Sequence, residues 1–266
     1  MRKRIISLLI FTVLVFSNVF ALRIVSLSPI DSKSLILLGA EDMVVGCTQW
    51  CPFAAEKPNV ANCIEVNIEE VLKLKPDVIM VSTLTSKESI ATMKRLGLKV
   101  FESPRVASFD VMCQEFIKVG ELIGKKELAE KEVAKAKARL KMLSRNIPDS
   151  AATPKVMLQV SDQPIFVAIP NTFLDDYIKL AGATNIYGDL EHGTVTRESV
   201  IRRNPDAIFV SGPLEYGKPI IENWMAYKEL AAAQNKKVVM IDQEKASSPT
   251  IHTFIDVVEI MINTLY

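Results

Sequence analysis

Val66 to Ser82 reads VNIEEVLKLKPDVIMVS, and Val195 to Ser211 reads VTRESVIRRNPDAIFVS. The two stretches align without a gap at an offset of 129, and eight of seventeen positions are identical, among them Glu69/Glu198, Pro76/Pro205, Asp77/Asp206 and Ser82/Ser211. In the first copy Asn67 can cap a helix whose first turn carries Glu69 and Glu70. That helix ends before Pro76, because proline disfavours helical geometry in the residue ahead of it. Val78 to Val81 is apolar at every position, the pattern of a strand covered on both faces in a parallel sheet. LLGA at 37–40 and LAGA at 180–183 extend the repeat. A repeat of this length predicts two equivalent lobes with a ligand cleft between them.

Working outward, RIVSLS at 23–28 reads as a buried strand ended by Pro29. Asp31 or Ser32 caps a helix that Gly39 stops. Strands follow at 43–47 and 99–102, with a helix at 87–96 between them. Phe109 to Asn146 is rich in Ala, Lys, Glu and Leu, with apolar residues at helical spacing and interruptions only at Gly120 and Gly124. Two helices or one kinked helix satisfy it, and its second half reads as a rigid connector, since a flexible linker would be rich in Gly, Ser or Pro. Strand and helix then alternate again to the end of the chain. The expectation is an α/β protein of two pseudo-equivalent Rossmann-like lobes with parallel sheets, joined by a long rigid α-helix. Residues 22–120 form the first lobe, 121–150 the connecting helix and 151–266 the second lobe.

The first 21 residues have the pattern of a cleavable secretory signal: Arg2, Lys3 and Arg4, an apolar core from Ile5 to Phe16, then Val19-Phe20-Ala21. The apolar run is too short to span a bilayer, and no cysteine follows at a lipoprotein position. A periplasmic, monomeric protein is therefore expected. The chain carries 32 basic residues, three of them in that leader, against 31 acidic ones. So even a balance excludes the clustered basic face that nucleic acid requires. Four cysteines, Cys47, Cys51, Cys63 and Cys113, allow three disulfide connectivities in an exported protein, of which Cys51–Cys63 is the expected bridge. Buried reduced thiols are the alternative.

Catalytic patterns are missing. There is no G-x-S-x-G elbow, no phosphate-cradling glycine loop and no H-E-x-x-H helix. His192 and His252 are the only histidines, too few for an imidazole-built metal site. A binding cleft is better supported, because ligands of parallel sheets sit beyond the carboxyl ends of the strands. Those ends carry Ser28, Pro29, Trp50, Phe53, Thr83, Phe166, Tyr216 and Pro249. Aromatic side chains in such loops suit a large, partly apolar ligand.

The SLSP strand end, the Gly-Ala helix stop followed by VVGCT, the repeated (N/T)-x-E…PD segment and the connector together resemble one family. These are the helical-backbone periplasmic substrate-binding proteins of ABC importers for vitamin B12, iron–siderophores and haem, and the likeness spans Leu22 to Tyr266. It is strongest to the cobalamin-binding branch, whose cysteine-containing loop is similar to Trp50-Cys51-Pro52-Phe53. The branch's wall tryptophan falls at His192, and the arginine of its C-terminal Ser-Pro-Arg falls at Thr250. The resemblance implies no bound cofactor, a corrinoid or ferric chelate as ligand, and a permease dimer with its ATPase as partner. It also implies that Glu69 and Glu198 dock onto arginine pockets of the two membrane subunits. His192 is the one candidate for a ligand to the chelated metal. An exported chelatase-like enzyme on the same scaffold, with His192 as general base, is the alternative.

Overall fold

A computed structural model describes residues 22–62, 64–149, 152–213 and 217–266. The leader at 1–21, Cys63 and Tyr216 lie outside the described residues.

The first half runs β1 (Ile24–Ser26), α1 (Pro29–Leu37), β2 (Val44–Thr48), β3 (Asn59–Ala61), α2 (Ile68–Lys73), β4 (Val78–Val81), α3 (Lys87–Arg95) and β5 (Val100–Glu102). Two helices follow, α4 (Phe109–Leu122) and α5 (Lys126–Leu143). The second half begins with β6 (Lys155–Asp162), β7 (Ile165–Val167), α6 (Phe173–Leu180), β8 (Thr184–Asn185), β9 (Thr194–Val195) and α7 (Arg197–Arg203). It closes with β10 (Ala207–Gly212), α8 (Gly217–Met225), α9 (Ala231–Gln234), β11 (Val238–Asp242), α10 (Gln243–Ser247) and α11 (Ile251–Leu265).

The first sheet is parallel throughout, in the order β3-β2-β1-β4-β5. The second has the order β11-β10-β6-β7-β9, with β8 also on β6. It is mixed rather than parallel as expected, because β6–β7 and β7–β9 pair antiparallel. Only Gln163 and Pro164 separate β6 from β7, and a parallel return needs a crossover of about a dozen residues.

The repeat maps onto matching elements. Asn67 caps α2 by accepting from the Glu70 N–H, and Thr196 caps α7 by accepting from that of Ser199. The residue before each proline takes a left-handed backbone, with φ 46° at Lys75 and 42° at Asn204, which stops the helix and turns the chain into the strand. Asp77 and Asp206 then accept from the backbone N–H of Arg23 and Lys155 at 2.7 and 2.8 Å, fastening β4 to β1 and β10 to β6. Along β4, Val78 and Met80 face the central core while Ile79 and Val81 face an outer cluster with Val71 and Met93. β10 repeats this, with Ala207 and Phe209 inward and Ile208 and Val210 outward. Both strands are therefore buried on both faces, which explains their unbroken apolar sequence.

The connection is a helical hairpin. Gly124, at φ 74°, breaks the helix, and α5 folds back antiparallel along α4. Asp110 thus meets Lys137 at 2.7 Å, and a Cβ on Gly120 would come within 2.5 Å of the Ala129 methyl. α5 also lies along α11, where Arg139 pairs with Asp256 at 2.6 Å and with Glu259. The apolar stripe of α11, including Phe254, Val258 and Ile262, joins α4, α5 and the inner faces of both sheets in one continuous core. Among the described residues no helix is long and apolar enough to cross a membrane.

Candidate ligand cleft

The carboxyl ends of β1, β2, β4, β5 and β11 converge on one cavity of about 530 Å³. Its first wall is built by residues that follow strands: Ser28 and Pro29 after β1, Trp50 after β2, Thr83 after β4, Ser103 and Arg105 after β5. Met112 and Phe116 of α4 extend that wall. Opposite stand Phe166 of β7, Ile169 and the first turn of α6, with Glu244, Ser247 and Ser248 around α10. Trp50 is 65% exposed and Leu84 64%, so two large apolar side chains stand in water at the mouth. Exposed apolar groups on a cavity rim are what an apolar ligand would cover.

The polar floor belongs to α1. Ser28 caps that helix by accepting from the Asp31 N–H at 3.3 Å. The Asp31 carboxylate is almost fully buried and accepts from the Ser103 hydroxyl at 2.6 Å. Burial pushes its pKa up to about 6, against the pull of the Ser103 and Ser28 bonds, and the neighbouring Glu115 charge adds to the rise. Glu115, also buried, accepts from Lys118 at 2.7 Å. Lys33 crosses the cleft: its ammonium donates to the Glu244 carboxylate and the Ser248 carbonyl, both at 2.8 Å, and to the Glu244 carbonyl at 3.5 Å.

Of the residues singled out in the sequence, Ser28, Pro29, Trp50, Thr83 and Phe166 lie on the cavity. Phe53 does not; it is 6% exposed and packs in the central core with Cys47 and Cys51. Pro249 is buried ahead of α11, and its neighbours Ser247 and Ser248 reach the cavity instead. His192 is exposed on the loop before β9 and is not part of the wall, although the adjacent Gly193 packs against the Phe166 ring. No histidine lines the cavity among the described residues, and none of them forms a cluster of three metal-ligating side chains. The imidazole base required by a chelatase is thus not at the cleft.

Asp31, Lys33 and Glu115 are floor residues that the sequence did not single out. Asp31 carries a signal in its place two residues beyond the SLSP strand end, and the cap expected of Asp31 or Ser32 is supplied by Ser28 instead. Lys33 and Glu115 carried none. Cys51 is a free, buried thiol, as are Cys47 and Cys113; the other half of the expected Cys51–Cys63 bridge, Cys63, lies outside the described residues. Cys51 instead contacts the Thr48 hydroxyl at 3.3 Å and the Ser26 carbonyl at 3.5 Å. The Cys47 thiol, donating toward it, holds Cys51 below the ordinary thiol range and is itself raised.

Glu69 and Glu198 are exposed on the first turns of α2 and α7, and neither has an ion-pair partner among the described residues. The Glu198 carboxyl is held below its usual range by its own backbone N–H and by the Thr196 hydroxyl.

Known proteins agree with this architecture. The chain is 27% identical over 244 residues to a vitamin B12-binding protein of Vibrio cholerae, a match covering 89% of this chain and 86% of that one. It is 26% identical over 196 residues to a cobalamin-binding protein of Halobacterium salinarum, covering 70% of this chain. The match spans only about half of that protein's length, 53%. The crystal structure of the periplasmic vitamin B12-binding protein of Vibrio cholerae superposes with a TM-score of 0.78 at 26% identity, over 91% of this chain and 96% of that one. Residues 24–245 match the sequence profile of one family across both sheets and the cleft between them, and the chain belongs to that family, the periplasmic binding proteins.

Proposed function

We propose that this protein is the substrate-binding component of an ABC importer, capturing a bulky metal chelate in the cleft and delivering it to a membrane permease. A corrinoid such as cobalamin is the first candidate, with haem and ferric siderophores as the other members of the class. The observation that carries the reading is the cavity of about 530 Å³ at the converging strand ends, with Trp50, Phe116, Phe166 and Phe173 on its walls. A cavity of that size with aromatic walls suits a large, partly apolar ligand held by area rather than by covalent chemistry. The relatives named for B12 and cobalamin binding favour the corrinoid within the class.

In this reading Ser28, Pro29, Trp50, Thr83 and Phe166 contact the chelate. Glu69 and Glu198 are the docking points for two permease subunits, one on each lobe. Their support is the repeat itself: both are solvent-exposed, at equivalent positions, and free to meet arginine as charge-assisted pairs. The leader directs export to the periplasm, where the protein acts as a monomer. Titration of the mature protein with cyanocobalamin, haemin and a ferric siderophore, followed by visible absorbance and Trp50 fluorescence, tests the reading. Saturable one-to-one binding of one of them supports it, and binding of none refutes it.

A further inference from the structure

Lys33 and Arg105 are the two cations on the cleft wall among the described residues. The Lys33 side chain, on α1, is 18% exposed. Its ammonium donates to the Ser248 carbonyl at the end of α10 and to the Glu244 carboxylate, each at 2.8 Å, and reaches the Glu244 carbonyl at 3.5 Å. These partners differ in kind. The carbonyls are fixed backbone, whereas the Glu244 side chain is 82% exposed and meets Lys33 from the solvent side. An ion pair with so exposed a partner is weak and readily exchanged. Arg105, after β5, is exposed and has no ion-pair partner among the described residues.

The other carboxylates of the cleft are held differently. Asp31 is buried and bonded by Ser103 and Ser28, and Glu115 is buried and bonded by Lys118. Pulling either from its partners would strand a polar group in the interior. Glu244 can leave Lys33 at little cost, because water receives its carboxylate. A ligand that brings an anion to Lys33 therefore releases Glu244 to solvent and keeps the ammonium paired, in a place from which the ligand itself excludes water. A neutral group lying there would cover the ammonium without a counter-charge or leave the exposed pair as it stands.

We propose that Lys33 anchors an anionic group on the periphery of the chelate, a carboxylate or a phosphodiester, by exchanging the Glu244 carboxylate for it, with Arg105 as a second contact at the edge. The proposal rests on the reading of the cleft as a chelate-binding site and adds the ligand's charge to it. The two members of one ion pair then act in opposite directions, Lys33 for binding and Glu244 against it. A latch whose only task was to tie α1 to α10 would need both.

The test measures the affinity of the full mature chain, at neutral pH, for matched compounds. Haemin is compared with its dimethyl ester, cyanocobalamin with the dicyanocobinamide that lacks the phosphodiester, and a ferric catecholate with a neutral ferric hydroxamate. The haem arm reports a carboxylate and the corrinoid arm a phosphodiester. In whichever comparison shows binding, the anionic member is expected to bind about tenfold more tightly. Lys33→Met is expected to bring that ratio to about threefold or less, and Glu244→Gln to raise the affinity of the anionic member by about threefold. Thermal melts establish that both variants are folded, and Glu244→Gln, at an exposed site, decides the matter alone if Lys33→Met does not fold. A wild-type ratio near one, a ratio unchanged in Lys33→Met, or anion binding that is unchanged or weaker in Glu244→Gln overturns the anchor while leaving chelate binding intact. Failure of the wild type to bind any of these compounds overturns the chelate-binding reading and the inference together.

Discussion

Asp77 and Asp206 make the same hydrogen bond in opposite halves of the molecule, each carboxylate accepting the backbone N–H at the start of the adjacent first strand, Arg23 at 2.7 Å and Lys155 at 2.8 Å. Each also sends its own N–H to the carbonyl of that residue, so the pairing is reciprocal. Charge-assisted bonds to backbone contribute more than neutral ones, about 1 to 3 kcal/mol where partly shielded. Asp206→Ala is expected to cost about 1 to 2 kcal/mol in urea unfolding. Asp77→Ala should cost less, because Asp77 is the more exposed of the two.

Lys75 holds φ at 46° without the side-chain bond that supports its counterpart, since Asn204 Oδ1 accepts the Ala231 N–H at 2.8 Å. A left-handed backbone costs an ordinary residue on the order of 1 kcal/mol. Lys75→Gly should therefore raise stability by up to about 1 kcal/mol, while Asn204→Ala should lower it by about 1 to 2 kcal/mol. Chemical denaturation of both variants decides it, and a destabilised Lys75→Gly would contradict the strain argument.

Charge reversal of Glu69 and Glu198 together should abolish chelate uptake by cells while leaving the affinity of the purified protein unchanged, because both side chains stand in solvent away from the cavity. Uptake assays paired with titration of the same variant separate docking from binding. Normal uptake by the double variant would remove the docking role.

The buried Asp31 carboxyl makes stability depend on pH. Its pKa is about 6 when folded, raised above its ordinary 3.8 chiefly by burial. A raised carboxyl pKa favours folding fully below the ordinary value, and this contribution is lost as pH rises through the folded one. The apo protein should lose up to about 3 kcal/mol through this group between pH 4 and pH 7. Asp31→Asn, which stays neutral, should be the more stable form at pH 8 and gain nothing at pH 4. Urea unfolding of both at the two pH values provides the comparison.

Cys47, Cys51 and Cys113 are buried and reduced. They should resist a bulky thiol reagent in the native protein and react within minutes in denaturant, with peptide mass identifying each site. Rapid native labelling of any of the three would contradict their burial.

The lobes were legible because the repeat carries its structural reasons in local chemistry: a cap at Asn67, a stop before Pro76, an apolar run for a strand with two covered faces. The mixed second sheet was less so, since Gln163-Pro164 looks like loop until its brevity is set against the length of a crossover. At the cleft, residues directly after strands, such as Ser28 and Thr83, could be placed from topology alone. Lys33 could not, because nothing local announces that it meets Ser248, 215 residues away. Met112 and Phe116 were hidden for another reason: their helical spacing reads as core packing, and one end of that stripe runs out into the cavity. Phe53 shows the converse, an aromatic residue in an irregular segment that fills the core.

The folded-back α4–α5 hairpin ties the two sheets into a single interior, so the halves cannot swing apart by flexing one stretch of peptide. Parting them shears close-packed side chains past one another, and such interiors resist deformation steeply. The molecule is one packed body with a cleft cut into it rather than two boxes on a hinge. Under the proposed role, any widening of the cleft would be driven from outside the molecule, by whatever grips it, rather than by its own flexing.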